Sequence, residues 1–298
     1  MALNQKVCTS TIGNIGDPKC NFNVGAIRRI FLSATQAVFS TEAEFQTFAT
    51  WKNHITGANS PKIYPLPIVV EVENSNKEST TDEVAFETVT TKEGNIQFTI
   101  HLTDAVSLGL HQAIKAWNGA KPYVLFAFDS GYLGGYSDDG VAVKALPTIF
   151  FDIPTKGFDT PSEANRTKIV IEIEPRYWEN KGVEAACPAF DAIEGLYGVK
   201  DAIITVLTST TSEITFSVKC SFDSQPVVDD NNVDFEQTDF VIETSLTAAT
   251  TTFTNNKDGT YKLDGTFSGT YTDALKLKSA SVTGKRYETP LAVDVTIA

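Results

Sequence analysis

Methionine occurs once, histidine three times and cysteine four times in the 298 residues, and no stretch is dense in lysine or arginine. No apolar run reaches the roughly 18 residues of a membrane-spanning helix, so membrane insertion is not expected. The start, Met1-Ala2-Leu3-Asn4-Gln5-Lys6, lacks the apolar core of a signal peptide, so Sec-dependent export is not expected either. Lysine and arginine number 24 against 37 acidic residues, a formal charge of −13 and a pI near 4.7. That balance argues against wrapping nucleic acid through phosphate neutralisation.

Cys8, Cys20, Cys187 and Cys220 are scattered and form no C-x-x-C, which favours reduced thiols over a disulfide framework. Cys8 and Cys20, twelve residues apart, remain open to local pairing under oxidising maturation. Among His54, His101 and His111 there is no H-x-x-x-H and no Cys/His cluster, so ordinary satisfied histidines, no metal and no cofactor are expected. No G-x-S-x-G elbow is present, and Ser130-Gly131 lacks the preceding glycine. Glu172 and Glu174 lie two apart on one strand face, a spacing that does not by itself flank a scissile bond. No catalytic residue and no enzymatic activity are therefore expected.

What is abundant is threonine, 37 residues, with 19 phenylalanines. Both suit a pleated surface packed on one side and wet on the other, and Val/Ile/Thr runs bounded by Gly, Asn, Asp and Pro recur throughout. The chain reads as mainly β. Residues 1–25 have no period and suggest an N-terminal arm. Thr41 with Glu44 is a capping box, and Phe45, Phe48, Trp51 and Ile55 share one face, predicting a helix over 42–55 that stops at Gly57. Residues 84–88 and 96–102 alternate on either side of Gly94, predicting a hairpin. Val106, Leu110, Ala113, Ile114 and Trp117 predict a second helix over 104–117. Strands are expected at 68–72, 123–128, 141–146, 148–153 and 168–174, and a short helix at 187–197. Past about residue 200, Thr-rich strands and turns with no helical period predict a separate all-β lobe over 201–298.

Two loops invite ligand readings. Gly131–Gly140 could cradle a phosphate, but no G-K-[ST] and no helix N-terminus follow, so a contact loop between subunits is expected. Asp229–Glu236 carries enough oxygens for calcium but lacks the glycine and terminal glutamate of an EF-hand. A solvated acidic loop is expected there.

The order of elements, a strand with a long polar tip, the hairpin over 84–102 and the packed helix over 104–117, resembles the tail-tube proteins of long-tailed and contractile bacteriophages. The resemblance covers roughly 26–200. It implies a tail-tube-like β sandwich or barrel with two flanking helices, 201–298 being an appended immunoglobulin-like lobe. It further implies a virion protein, assembled in the host cytoplasm, whose hexameric rings stack into a tube through which DNA passes during ejection. Partners would be copies of itself, other tail proteins and, transiently, DNA. The family offers no catalytic residues.

Independently of that resemblance, a ring whose sheets join edge to edge covers strand edges that would otherwise template aggregation. The polar tip Glu73, Asn74, Ser75, Asn76, Lys77, Glu78, Ser79, Thr80, Thr81, Asp82 and Glu83 is the candidate assembly loop, expected to order only against a neighbour. An acidic channel wall would let DNA slide, and Glu71, Glu87, Glu172 and Glu174 are the candidate lumen carboxylates. Two alternatives stand beside the tail tube. One is a head-to-tail ring or collar protein. The other is a carbohydrate-binding or adhesive β protein, suggested by Trp51, Trp117, Trp178 and the tyrosines of the glycine-rich loop. An enzyme with a dispersed site is the third class.

Overall fold

The computed structural model describes residues 25–84, 87–92, 94–103, 106–157, 165–178, 182–185, 188–230 and 232–297. The expected arm (residues 1–24 of it), Cys8, Cys20, Cys187 and Asp104 lie outside the described residues. The fold is mainly β, and the chain divides into two compact units, the second made of the residues from Gly198 onward together with Thr56–Ala58.

The first unit contains, in order, β1 (Ile27–Ser33), β2 (Val38–Phe39), α1 (Glu42–Phe45), α2 (Phe48–Thr56), β3 (Ile63–Pro65), β4 (Val69–Asn74), β5 (Thr80–Val84), β6 (Glu87–Lys92) and β7 (Ile96–Leu102). It continues with α3 (Leu108–Lys115), β8 (Tyr123–Phe128), β9 (Leu133–Tyr136), β10 (Val143–Lys144), β11 (Leu146–Asp152), β12 (Lys168–Ile173), α4 (Pro175–Trp178) and β13 (Gly182–Ala185). An eleven-stranded antiparallel sheet runs β2-β10-β9-β8-β11-β12-β7-β4, with β1, β3 and β13 branching from it. It curls into a half-barrel around Ile100, Leu102, Val124, Ile169 and Ile171, each wholly buried. The β7 and β12 isoleucines reach that core because alternate strand residues point to one face.

The helix expected over 42–55 is two helices. Thr41 Oγ accepts Glu44 N at 3.2 Å as expected, while Glu44 Oε2 accepts the N–H of Ser40 rather than of Thr41. The ladder breaks at Gln46-Thr47, and the indole N–H of Trp51 donates to the Phe45 carbonyl at 2.6 Å. The break brings Phe45 and Trp51 into one cluster with Phe31 and Phe39, ring centroids 4.8–5.4 Å apart. Phe48, placed on that face by periodicity, is instead 41% exposed and edges against Phe190. The second helix is shorter than 104–117: Ser107 caps α3 by accepting Leu110 N at 3.2 Å. Trp117 falls beyond its end, half-buried against Tyr64.

Three further expectations are corrected. β6 pairs with β5, Val84 opposite Glu87, and not with β7. β7 lies between β4 and β12, so 69–102 is one long hairpin whose far part is the separate β5–β6 ribbon. The glycine-rich loop contains a buried strand, β9, paired with β8, β10 and β13. A Cβ on Gly135 would meet the Lys144 carbonyl oxygen and Val143 Cγ1 at 2.8 Å, so glycine there is a packing requirement rather than a ligand cradle. Residues 188–197 form turns, not a helix. Asp191 Oδ1 accepts the N–H groups of Ile193 and Glu194, a local bond that competes with helix. The guanidinium of buried Arg29 fastens this segment, donating to the carbonyls of Leu66 and Ile193. Burial lowers the Arg29 pKa to about 10, against the opposing pull of Tyr197, Glu194 and Asp191.

The second unit contains β14 (Lys200–Ser209), β15 (Glu213–Cys220), β16 (Asp229–Asp230), β17 (Val233–Asp234), β18 (Phe240–Ile242), α5 (Thr244–Ala249), β19 (Thr250–Asn255) and β20 (Thr260–Gly265). It ends with β21 (Thr270–Leu277), α6 (Ala280–Thr283), β22 (Tyr287–Glu288) and β23 (Val293–Thr296). A five-stranded sheet, β19-β20-β15-β14-β22, and a three-stranded one, β18-β21-β23, enclose Phe216, Tyr261, Leu263, Phe267 and Leu275. Two short helices occur where none was expected. The Glu243 carboxylate starts α5 by accepting the N–H groups of Ser245 and Leu246, and six residues are too few to display a helical period. The thiol of Cys220 is buried and free, and burial raises its pKa.

Candidate functional site

Because Phe98, Ile100 and Leu102 of β7 point into the core, Gln97, Thr99 and His101 point the other way. Register brings Glu71 of β4 and Lys168 of β12 opposite His101, and Glu172 of β12 opposite Gln97. Glu73, two residues beyond Glu71, is on the same face. The outer surface of β4–β7–β12 therefore gathers Glu71, Glu73, His101, Lys168 and Glu172.

At one end stands His101, 6% exposed. Its Nε2 is 3.0 Å from Glu73 Oε1, and its Nδ1 is 3.9 Å from Glu71 Oε2. The Nε2 contact is close enough for an ion pair but is not aligned for hydrogen bonding, so that buried nitrogen has no hydrogen-bond partner. Arg166 Nη1 approaches Glu71 Oε2 at 3.7 Å. Both glutamates are about half exposed while the imidazole is enclosed.

At the other end Glu172 is only 4% exposed. Lys77 Nζ reaches its Oε2 at 2.6 Å, and Asn95 Nδ2 donates to its Oε1 at 2.5 Å. The charge of Glu172 is covered and matched within the subunit. Glu71 is exposed on the same face but faces Arg166. Glu174 lies just past β12 and pairs with Arg176, and Glu87 opens β6.

The polar tip is also more structured than its composition suggests. Ser75 N donates to Gln97 O at 2.8 Å and Lys77 N to Asn95 O at 3.0 Å, continuing the β4–β7 ladder. Gly94 N donates to Ser79 Oγ at 3.0 Å, after which Thr80, Thr81, Asp82 and Glu83 enter β5. Backbone pairing within the hairpin thus engages part of a segment that buries little apolar surface.

Other sequence-marked residues are occupied elsewhere. Trp51 is wholly buried, Trp178 packs on Phe126 and Phe128, and Tyr136 accepts from Gln36 Nε2 at 2.7 Å while 5% exposed. Trp51 and Tyr136 belong to the buried core, and Trp117, Trp178 and Tyr132 are partly buried against it. His54 Nδ1 is 2.9 Å from the Pro61 carbonyl and His111 Nδ1 is 3.1 Å from Thr167 Oγ1. In the acidic loop, Asp229 Oδ1 accepts Asn232 N, Asp234 pairs with Lys257, and Lys285 donates to the Asp234 carbonyl. Those oxygens serve internal bonds. Sequence inspection missed the grouping of His101 with Glu71 and Glu73. Its signal was the Glu71-Val72-Glu73 alternation facing an odd-numbered histidine in β7. No family model matches the chain, and no characterised protein matches it in sequence.

Proposed function

We propose that this protein is a structural subunit of a virion, building closed rings that stack into a phage tail tube through which DNA passes. The observation that carries this is the β4–β7 hairpin. β4 ends the eleven-stranded sheet and, among the described residues, pairs only with β7. Past the irregularity at Val70, residues 71–74 offer an open backbone edge. Such edges recruit strands from other chains unless they are covered, and ring closure covers every one of them identically. Beyond the sheet the hairpin continues as the β5–β6 ribbon, which has no strand partner outside itself among the described residues. A ribbon of that kind suits contact with a ring above or below. The supported assembly contact is therefore β5–β6 rather than the whole of 73–83, since Ser75 and Lys77 are already bonded to their own subunit. A head-to-tail ring or collar would use the same edge without stacking.

The test is light scattering and negative-stain microscopy of the purified protein, beside a variant in which residues 80–92 are replaced by a two-residue turn. Rings or tubes are expected from the natural chain, and unstacked rings from the variant. A chain that stays monomeric at high micromolar concentration under tube-forming conditions would remove the ring assignment, and tubes from the shortened variant would remove the ribbon's role.

A further inference from the structure

We propose that Glu71, Glu73 and His101 form a binding site for one divalent transition-metal ion, with zinc as the best match. One nitrogen of His101 and one oxygen from each glutamate all lie within 4.8 Å of one another. The decisive group is the imidazole: it is enclosed by the sheet, and its Nε2 faces the Glu73 carboxylate without a hydrogen bond to satisfy it, while Nδ1 is the nitrogen nearer Glu71. Leaving a buried polar nitrogen unpaired is costly, and coordination supplies the missing partner.

The chemistry of the donors fits. Zinc takes histidine nitrogen and carboxylate oxygen at about 2.0–2.2 Å. In the tetrahedral geometry zinc prefers, two ligands at those lengths stand about 3.4 Å apart, so Nε2 and Glu73 Oε1, separated by 3.0 Å, need part only slightly to take up the ion. Glu71, half exposed on the neighbouring position of β4, completes a third ligand by a side-chain rotation, and water fills the remaining position. Two carboxylates and a neutral imidazole give the site a formal charge of −2, which one divalent ion balances. Arg166, 3.7 Å from Glu71, is the cation the metal would displace, and Lys168 stands opposite His101 on β12, while Lys77 is held by Glu172 at the far end of the face. Soft, sulfur-preferring metal ions are disfavoured because no sulfur is among the three donors. The ligands come from adjacent strands whose register is set by backbone pairing, so the site is built before metal arrives. It lies within one subunit and does not depend on ring assembly.

The experiment is calorimetric titration of metal-stripped full-length protein with zinc chloride, in parallel with Glu71→Gln/Glu73→Gln and His101→Asn. The natural chain is expected to bind one zinc per subunit. Each variant should bind more than about tenfold more weakly, the least that loss even of an outer-shell partner costs. A cobalt(II) titration should give a spectrum without thiolate charge transfer, which separates this site from the cysteines. The two glutamates are half exposed, so the double Gln variant keeps the fold even where His101→Asn does not. No zinc uptake by the natural chain, unchanged affinity in the double Gln variant, or a thiolate band with cobalt would each overturn the proposal.

Discussion

Gly135→Ala tests whether the glycine-rich segment is a packed strand or a surface loop, because the two predict opposite signs. Gly135 is not among the glycines with positive φ, so alanine meets no backbone penalty there. In an open loop the substitution would stabilise by about 0.4–1 kcal/mol by narrowing the unfolded ensemble. In β9 the added methyl would lie 2.8 Å from the Lys144 carbonyl oxygen, 2.8 Å from Val143 Cγ1 and 3.1 Å from Leu125 Cδ2. A backbone carbonyl cannot swing aside as a side-chain tip can, so β10 must shift away from β9. Overpacking of this sort costs about 1–3 kcal/mol, and after the entropic gain a net loss of about 1–2 kcal/mol is expected. All three tryptophans, Trp51, Trp117 and Trp178, belong to the first unit, so intrinsic fluorescence reports its unfolding without the second. With a urea slope of about 1–3 kcal/mol/M, the midpoint should fall by on the order of 0.5–1 M. A midpoint unchanged or raised would show that Gly135 does not pack between β8 and β10.

Replacing Trp51 by alanine should cost about 3–5 kcal/mol in the same assay, as for a fully enclosed aromatic. Trp117→Ala should cost less, about 1.5–3 kcal/mol, because Trp117 is only partly buried; equal losses would show that the helix faces are misplaced. Acid should weaken two local caps. The Glu243 carboxylate is held below its usual 4.5 by the Ser245 hydroxyl and the N–H groups of Ser245 and Leu246, and Asp139 is held below 3.8 by the N–H groups of Val141 and Ala142. Each contribution is complete above the ordinary value and is lost as pH falls through the lowered one. The stability difference between the natural chain and Glu243→Gln or Asp139→Asn should therefore shrink at low pH, and a difference constant with pH would contradict it.

Patterns with a local cause were legible in the sequence. The isoleucines of 168–174 and 96–102 alternate because a strand shows every second residue to the core, and Ile100, Ile169, Ile171 and Ile173 are buried there. Thr41 announced a helix start because its hydroxyl needs only a backbone N–H three residues on. The change of composition near residue 200 falls beside the division of the chain after Tyr197. What depends on distant partners was not legible. Nothing local to Gly134-Gly135 reveals that β10 and Phe128 press on them, so a buried strand reads as a flexible loop. Whether β6 pairs with β5 or β7 is a choice between two alternating neighbours, decided because β12 and β4 already flank β7. Glu172 looks like a surface carboxylate from its alternation, and only the folding of Lys77 and Asn95 across the sheet buries it. His101, Glu71 and Glu73 meet for the same reason: register between strands some thirty residues apart is a tertiary decision, made by the apolar face and inherited by the polar one.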